Sequence, residues 1–212
     1  MTRLQRLIRL SAVALTAVAL TGCISLFPKS KPANLYQFDY VMPADAAATP
    51  PAASDLFGVL KLANGFTKAA AGDRIMTVTG GSDVAYIAEA RWASPASVLF
   101  DEAVNKAFDR DGAPAHLIGR GEIGKSDYVL KLDVREFQVA YAAPEGRPSV
   151  VVNVQATLTK SGDRSLVAER SFSKTVAADD RQAAIVRAFN VAVSGVLRDL
   201  VEWTATLGKT GA

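Results

Sequence analysis

The sequence predicts an α+β fold, a largely antiparallel sheet with two main helices packed on one face, and three observations carry that expectation. Residues 128–176 hold three successive alternating segments joined by short turns, which reads as an antiparallel meander with one buried face. Near the C-terminus, Ile185, Phe189, Val193, Val196, Leu200, Trp203 and Leu207 recur at intervals of three or four, the stripe of a helix lying on a sheet. A hairpin pattern over 74–92 runs directly into Ser94-Pro95, a helix start signal. Helices gathered on one face of such a sheet make an α+β sandwich.

Taken in order, Leu35–Val41 is aromatic-rich and strand-like, and the Ala/Pro stretch Pro43–Ser54 is a loop by composition. Leu56–Leu62 and Arg74–Thr79 read as strands. Gly80-Gly81-Ser82-Asp83 turns the chain into Val84–Trp92. Ser94 is the expected N-cap and Pro95 the first helical residue. That helix runs to about Arg110 and stops at Asp111-Gly112, with Phe100, Val104, Ala107 and Phe108 on one face. His116–Arg120 is a short strand. In Tyr128–Tyr141 the apolar phase slips by one at Arg135-Glu136, which calls for a β-bulge. After the turn at Pro144–Pro148, Val150 to Leu158 alternate with polar neighbours, and Ser161-Gly162-Asp163 leads into the third strand, Ser165–Val176. Asp179 or Asp180 caps the last helix, and Gly208 and Lys209 close it. About 28 residues give ~42 Å of helix.

The domain proper is therefore expected over 35–207, with 208–212 as a tail, and its chemistry is bounded by composition. Of 212 residues half are hydrophobic, with one cysteine and one histidine. That excludes an internal disulfide, CxxC metal or redox sites and multi-histidine zinc sites. The net charge is +3, but Arg3, Arg6 and Arg9 lie in the first nine residues, and without them 21 basic residues face 21 acidic ones. The remainder has no electrostatic case for nucleic acid or an anionic membrane surface.

The first 22 residues read as a cleaved signal. Three arginines precede LSAVALTAVALTG, whose 13 residues would span only about 20 Å of helix, too short for a ~30 Å hydrocarbon core. The segment ends in Leu20-Thr21-Gly22-Cys23, which looks like a bacterial lipobox. Thr21 and Gly22 are small, as a peptidase groove requires beside the Gly22–Cys23 bond, and the Cys23 thiol would take the diacylglyceryl group. Two or three acyl chains anchor durably where one does not. Ile24 stands where an aspartate would favour inner-membrane retention, so the outer membrane is the expected destination, with the domain facing the periplasm. Residues 24–34, ISLFPKSKPAN, form a tether reaching ~35–40 Å when extended.

No catalytic site and no cofactor beyond the Cys23 lipid is expected. Gly119-Arg120-Gly121-Glu122-Ile123-Gly124 matches GxGxxG, but a strand rather than a helix follows, so no helix N-terminus waits for a pyrophosphate. His116 has no nucleophile elbow beside it. Asp101-Glu102 and Asp179-Asp180 suit helix starts and lack calcium-loop spacing. Tyr86 and Trp92 are candidate contacts for a partner or lipid, against the alternative that both pack in the core.

With lipobox, tether and strand order in place, the chain resembles the ABC-type transport auxiliary lipoprotein family, which includes the Pqi-type lipoprotein. The match is carried by Leu35-Tyr36-Gln37-Phe38, by Asp73-Arg74-Ile75-Met76 returning through Val84-Ala85-Tyr86-Ile87 to Arg91-Trp92, by Asp127-Tyr128-Val129-Leu130 with Glu136-Phe137, and by Ala188-Phe189-Asn190-Val191-Ala192 with Glu202-Trp203. It spans roughly 35–205. Ser94 departs from it, since many members carry an acidic residue there. The resemblance implies a non-enzymatic auxiliary of a trans-envelope lipid or hydrophobic-solute pathway. Its partners would be an Mce-domain periplasmic protein and the ABC permease and ATPase, and a ring-like Mce assembly leaves a homo-oligomer open. The alternatives are a structural or assembly lipoprotein for an outer-membrane barrel and a periplasmic lipid carrier.

Overall fold

The structure, a computed structural model, describes residues 32–41, 56–111, 114–119 and 124–210. The signal segment, the Gly22–Cys23 bond, most of the tether, the 43–54 insert and Arg120–Ile123 lie outside the described residues. Residues 33–212 form one compact unit.

The elements are β1 (Asn34–Tyr36), β2 (Phe57–Lys61), β3 (Gly65–Phe66), α1 (Lys68–Ala71), β4 (Arg74–Thr79), β5 (Asp83–Trp92), α2 (Ala96–Asp111), β6 (Ala115–Ile118), β7 (Tyr128–Tyr141), β8 (Ser149–Lys160), β9 (Leu166–Ala177) and α3 (Gln182–Thr210). The α+β class holds, with α2 and α3 on one face of a single sheet.

Strand β7 organises that sheet. One of its edges pairs with β8 from Tyr128↔Lys160 to Ala140↔Ser149, and β8 pairs in turn with β9, both antiparallel. Its other edge receives β2, β3 and β4 in succession, at Val59↔Tyr128, Gly65↔Asp133 and Thr77↔Val139. These three pairings are parallel, because residues 57–79 climb the same edge in one direction instead of turning back. Outside them, β6 pairs parallel with β2, β5 antiparallel with β4, and β1 parallel with β5. The long ladders are thus antiparallel, as expected. The parallel joints were not legible in the pattern.

The β7 bulge falls where the phase slips. Val134 opposes Val154 and Glu136 opposes Asn153, leaving Arg135 unpaired. The extra residue keeps Tyr128, Leu130, Leu132 and Val134 on the same face as Phe137 and Val139, all of them buried. That face meets the predicted stripe of α3, from Ile185 to Trp203, also buried. Between the layers Phe38, Trp92, Phe137 and Phe189 form one aromatic cluster, with centroids 4.9 Å apart for Phe137–Phe189 and 5.0 Å for Phe38–Trp92. Each buried ring contributes about 1.5–3 kcal/mol, and edge-to-face pairs add up to about 1.5 kcal/mol more.

Four expectations need correction. The strand expected over Leu35–Val41 pairs only through Tyr36. Residues 37–41 leave the sheet and lie as a strap over α2 and α3, where Asp39 N–H donates to Asn190 Oδ1 at 3.0 Å and Val41 N–H to Ser194 Oγ at 2.9 Å. Phe38 and Tyr40 still alternate with exposed or half-buried neighbours, so an extended strap buried between helices copies the pattern of a strand. Helix α2 starts one residue late, the Pro95 carbonyl accepting from Leu99 N–H at 3.1 Å, so Pro95 occupies the cap. Helix α3 does not close at Gly208 but runs to Thr210. A side chain at Gly208 would collide with the Phe57 ring, so close approach is what requires glycine there. The fourth correction concerns the α3 cap. The Arg181 carbonyl, not an aspartate side chain, meets the first free amides, those of Ala184 at 2.9 Å and Ile185 at 3.0 Å.

Candidate functional site

The point where residues 34–36 enter the body is built into the fold. At Asn34 the backbone joins β5, with Asn34↔Ala90 and Tyr36↔Trp92. Gln182, at the start of α3, then holds it through side chains. Its Oε1 accepts from Asn34 Nδ2 at 3.2 Å and from the Tyr36 hydroxyl at 3.0 Å, and its Nε2 donates to the Ala88 carbonyl at 3.0 Å. That carbonyl is available because β5 bulges: between the pairs Met76↔Tyr86 and Arg74↔Arg91 the ladder loses register, and Glu89 takes φ 56°. A non-glycine residue there costs about 1–3 kcal/mol, which the surrounding contacts offset.

Further along the strap, Lys106 pairs with Asp39, and the Tyr40 hydroxyl donates to Asp111. Burial first, then that bond to a carboxylate, pushes the Tyr40 phenol well above its ordinary value. The strap is thus tied to both helices. Asn190 and Ser194, which hold its backbone, flank the apolar stripe of α3, and Gln182 precedes them. A sequence reading that saw only the stripe missed all three. Polar residues at 182, 190 and 194 along one flank were the available signal.

The two predicted contact residues separate. Trp92 is 2% exposed and packs edge-on against Phe38 and Phe189, so it belongs to the core, and a partner could reach it only by opening the protein. Tyr86 is half-buried and packs against the margin of the same core. Its hydroxyl donates to the Ala69 carbonyl at 3.2 Å, and the Arg74 guanidinium lies 3.8 Å from its ring centre. The structure does not bring the two together.

The acidic pairs also have structural partners. Asp101 lies in the second turn of α2 and binds Lys61 and Asn64 Nδ2, the latter at 3.0 Å. Asp179 meets Arg147 at 3.4 Å, and Asp180 accepts the Tyr141 hydroxyl at 2.7 Å. Burial and then this bond raise the Tyr141 phenol to about 12. His116 is exposed on short strand β6. Among the described residues no three His, Cys, Asp or Glu side chains group as metal ligands, and no helix is long and apolar enough to cross a membrane.

A surface cleft of about 740 Å³ lies between α2, the β2–β3 loop and β6, with Leu62, Val98 and Leu117 beside Asp101, Glu102 and Asp109. Its lining includes no residue of the strap and not Tyr86. Between the sheet and the helices the space is taken by the aromatic cluster.

The fold recurs in solved structures. Protein XCC0632 from Xanthomonas campestris, a DUF330 family protein, superposes with a TM-score of 0.70 at 27% identity, covering 84% of this chain and 98% of its own. An uncharacterised protein superposes with a TM-score of 0.59 at 13% identity, over 86% and 100%. Protein CT253 from Chlamydia trachomatis gives 0.52 at 7% identity, over 74% and 99%. The last two likenesses are of fold alone. No curated protein matches the chain by sequence. The family model for the ABC-type transport auxiliary lipoprotein component matches residues 36–201. That span runs from the Tyr36–Gln182 junction through the meander into the last turns of α3, and the chain belongs to this family.

Proposed function

We propose that this chain is a non-enzymatic accessory lipoprotein of an ABC-type system that moves lipid or another hydrophobic solute. Acylated Cys23 anchors it in the outer membrane, and its domain docks a periplasmic Mce-domain component whose permease and ATPase supply the energy. The match to the auxiliary lipoprotein family over 36–201 carries this reading. Two physical features support it. The only cysteine ends the signal's apolar segment, where the thiol is placed for acylation. The chain arriving from it is fixed to the body by Gln182, so an anchor would position the whole domain and raise its local concentration beside membrane-bound partners. The filled interior favours an accessory over a carrier that encloses lipid between sheet and helices.

Affinity purification of tagged full-length protein from detergent-solubilised native membranes tests the proposal. Recovery of an Mce-domain protein, with or without permease and ATPase, is the expected result. A barrel protein without any Mce protein would replace it with an assembly role. The anchor is read separately, since Cys23→Ala should release the protein from the membrane and abolish incorporation of labelled fatty acid.

A further inference from the structure

We propose that the cleft between α2, the β2–β3 loop and β6 is a docking groove for an amphipathic, cationic helix of a partner protein. Val98, Glu102, Asn105 and Asp109 follow one another at steps of four, three and four, so they form a single seam along α2. All four are exposed. Val98 is 44% exposed, and Leu62 of the β2–β3 loop, 42% exposed, lines the same cleft together with Leu117. Two open aliphatic side chains in one concave lining give an occupant apolar area to bury. The charge of the lining is one-sided. Lys61 and Asp101 pair and cancel, whereas the side chains of Glu102 and Asp109 have no ion pair or hydrogen bond among the described residues. The cations of α2 do not offset these two acids: Lys106 pairs with Asp39, and Arg110 stands about 100° round the helix from Asp109, outside the lining. Asn64 adds an unmet acceptor, since its Nδ2 donates to Asp101 at 3.0 Å while its Oδ1 is buried without a donor.

The spacing of the acids selects the shape of the occupant. Glu102 and Asp109 lie two helical turns apart, about 10.5 Å along α2. A second helix laid along the seam repeats that distance when it carries lysines or arginines seven residues apart. Aliphatic residues one turn beyond those cations then meet Val98 and Leu62. The matched charges set register and exclude acidic helices, and the aliphatic contacts supply burial. The chemistry of the groove is independent of which protein provides that helix.

The test uses the full chain, purified from membranes in nonionic detergent, and two stapled helical peptides as probes. One peptide carries lysines seven residues apart between flanking leucines, and its twin carries glutamates at the lysine positions. Fluorescence anisotropy at low salt should show the lysine peptide bound about tenfold more tightly than the twin. The combined Glu102→Lys, Asp109→Lys change should invert that preference. Both side chains are exposed and unpaired, so the urea midpoint of this variant should match that of the parent. If the reversal disturbs folding, Glu102→Gln with Asp109→Asn removes the charge alone and should abolish the preference. Failure of both peptides to bind, equal binding of the two, or a preference that survives the charge changes overturns the assignment. Sedimentation of the chain alone reads a different occupant. Self-association that the charge reversal abolishes would give the groove to a second copy, and that result also overturns the partner helix.

Discussion

Tyr36 donates its hydroxyl to Gln182 Oε1 at 3.0 Å, joining residues 146 positions apart at the place where β1 enters the sheet. The same carboxamide accepts from Asn34 and donates to the bulged carbonyl of Ala88, so one side chain closes three segments together. An anchor pulling on residue 34 therefore pulls on α3 and the sheet edge at once.

Removing that carboxamide should loosen the junction more than the fold. Gln182→Ala is expected to cost about 1 kcal/mol, since the bonds it breaks are partly exposed. Hydrogen exchange should speed up at Asn34–Tyr36 and Ala90–Trp92 while the β7–β8 ladder stays protected. Uniform acceleration would mean that Gln182 supports the core instead.

The strap should behave as part of the core. Phe38 is 1% exposed and touches Trp92, Phe137 and Phe189, so Phe38→Ala should cost about 3–5 kcal/mol. Leu35→Ala, three residues away and exposed, should change stability by less than about 0.5 kcal/mol. Urea unfolding of both variants checks the contrast, and similar midpoints would show that the strap is dispensable.

Alkali should weaken the protein through two phenols, buried Tyr40 and half-buried Tyr141. Tyr141 is raised from 10.0 to about 12 by burial and by its bond to Asp180, and Tyr40 shifts the same way. The folded state therefore holds these protons more tightly than the unfolded chain. Their stabilisation is complete below about pH 10 and is lost as pH rises through the folded values. Urea midpoints should fall between about pH 10 and pH 12. Tyr141→Phe should make that fall shallower, and an unaltered slope would exclude Tyr141 as a source.

Arg164 takes φ 59° in the β8–β9 turn, where Ser165 donates to Asp163 Oδ1 through its N–H at 2.9 Å and its hydroxyl at 2.7 Å. Glycine adopts that region without the penalty of a side chain, so Arg164→Gly should raise stability by about 0.5–1 kcal/mol. Arg164→Ala keeps the Cβ and should give no gain, which thermal unfolding of the pair would reveal.

Much of this fold could be read along the chain, because burial there follows a local period. Alternation located β7, β8 and β9 almost to the residue, and the slip at Arg135 marked the bulge before any partner strand was known. Spacings of three and four placed the spine of the buried face of α3, from Ile185 to Trp203, while Ala188, Ala192, Leu197 and Val201 beside it are buried too. The same logic failed at Leu35–Val41, where Phe38 and Tyr40 alternate as strand residues do but bury themselves between helices. Alternation reports which side chains are covered, not what covers them. It also left Trp92 undecided between core and contact, and only the neighbouring Phe38 and Phe189 settle it.

Segment types, the place of the bulge and the single cysteine after a short apolar run were legible in the sequence alone, since each depends on residues within a few positions of one another. Long-range partnership was decided by the tertiary structure. It set β2, β3 and β4 parallel along one edge of β7, drew the acids at 179 and 180 away from helix capping to Arg147 and Tyr141, and gave Gln182 the task of fixing the arriving chain. The reason is physical. Periodicity encodes how much of each side chain is buried, whereas a hydrogen bond between residues 146 positions apart exists only once the layers have packed and left two groups 3.0 Å from each other.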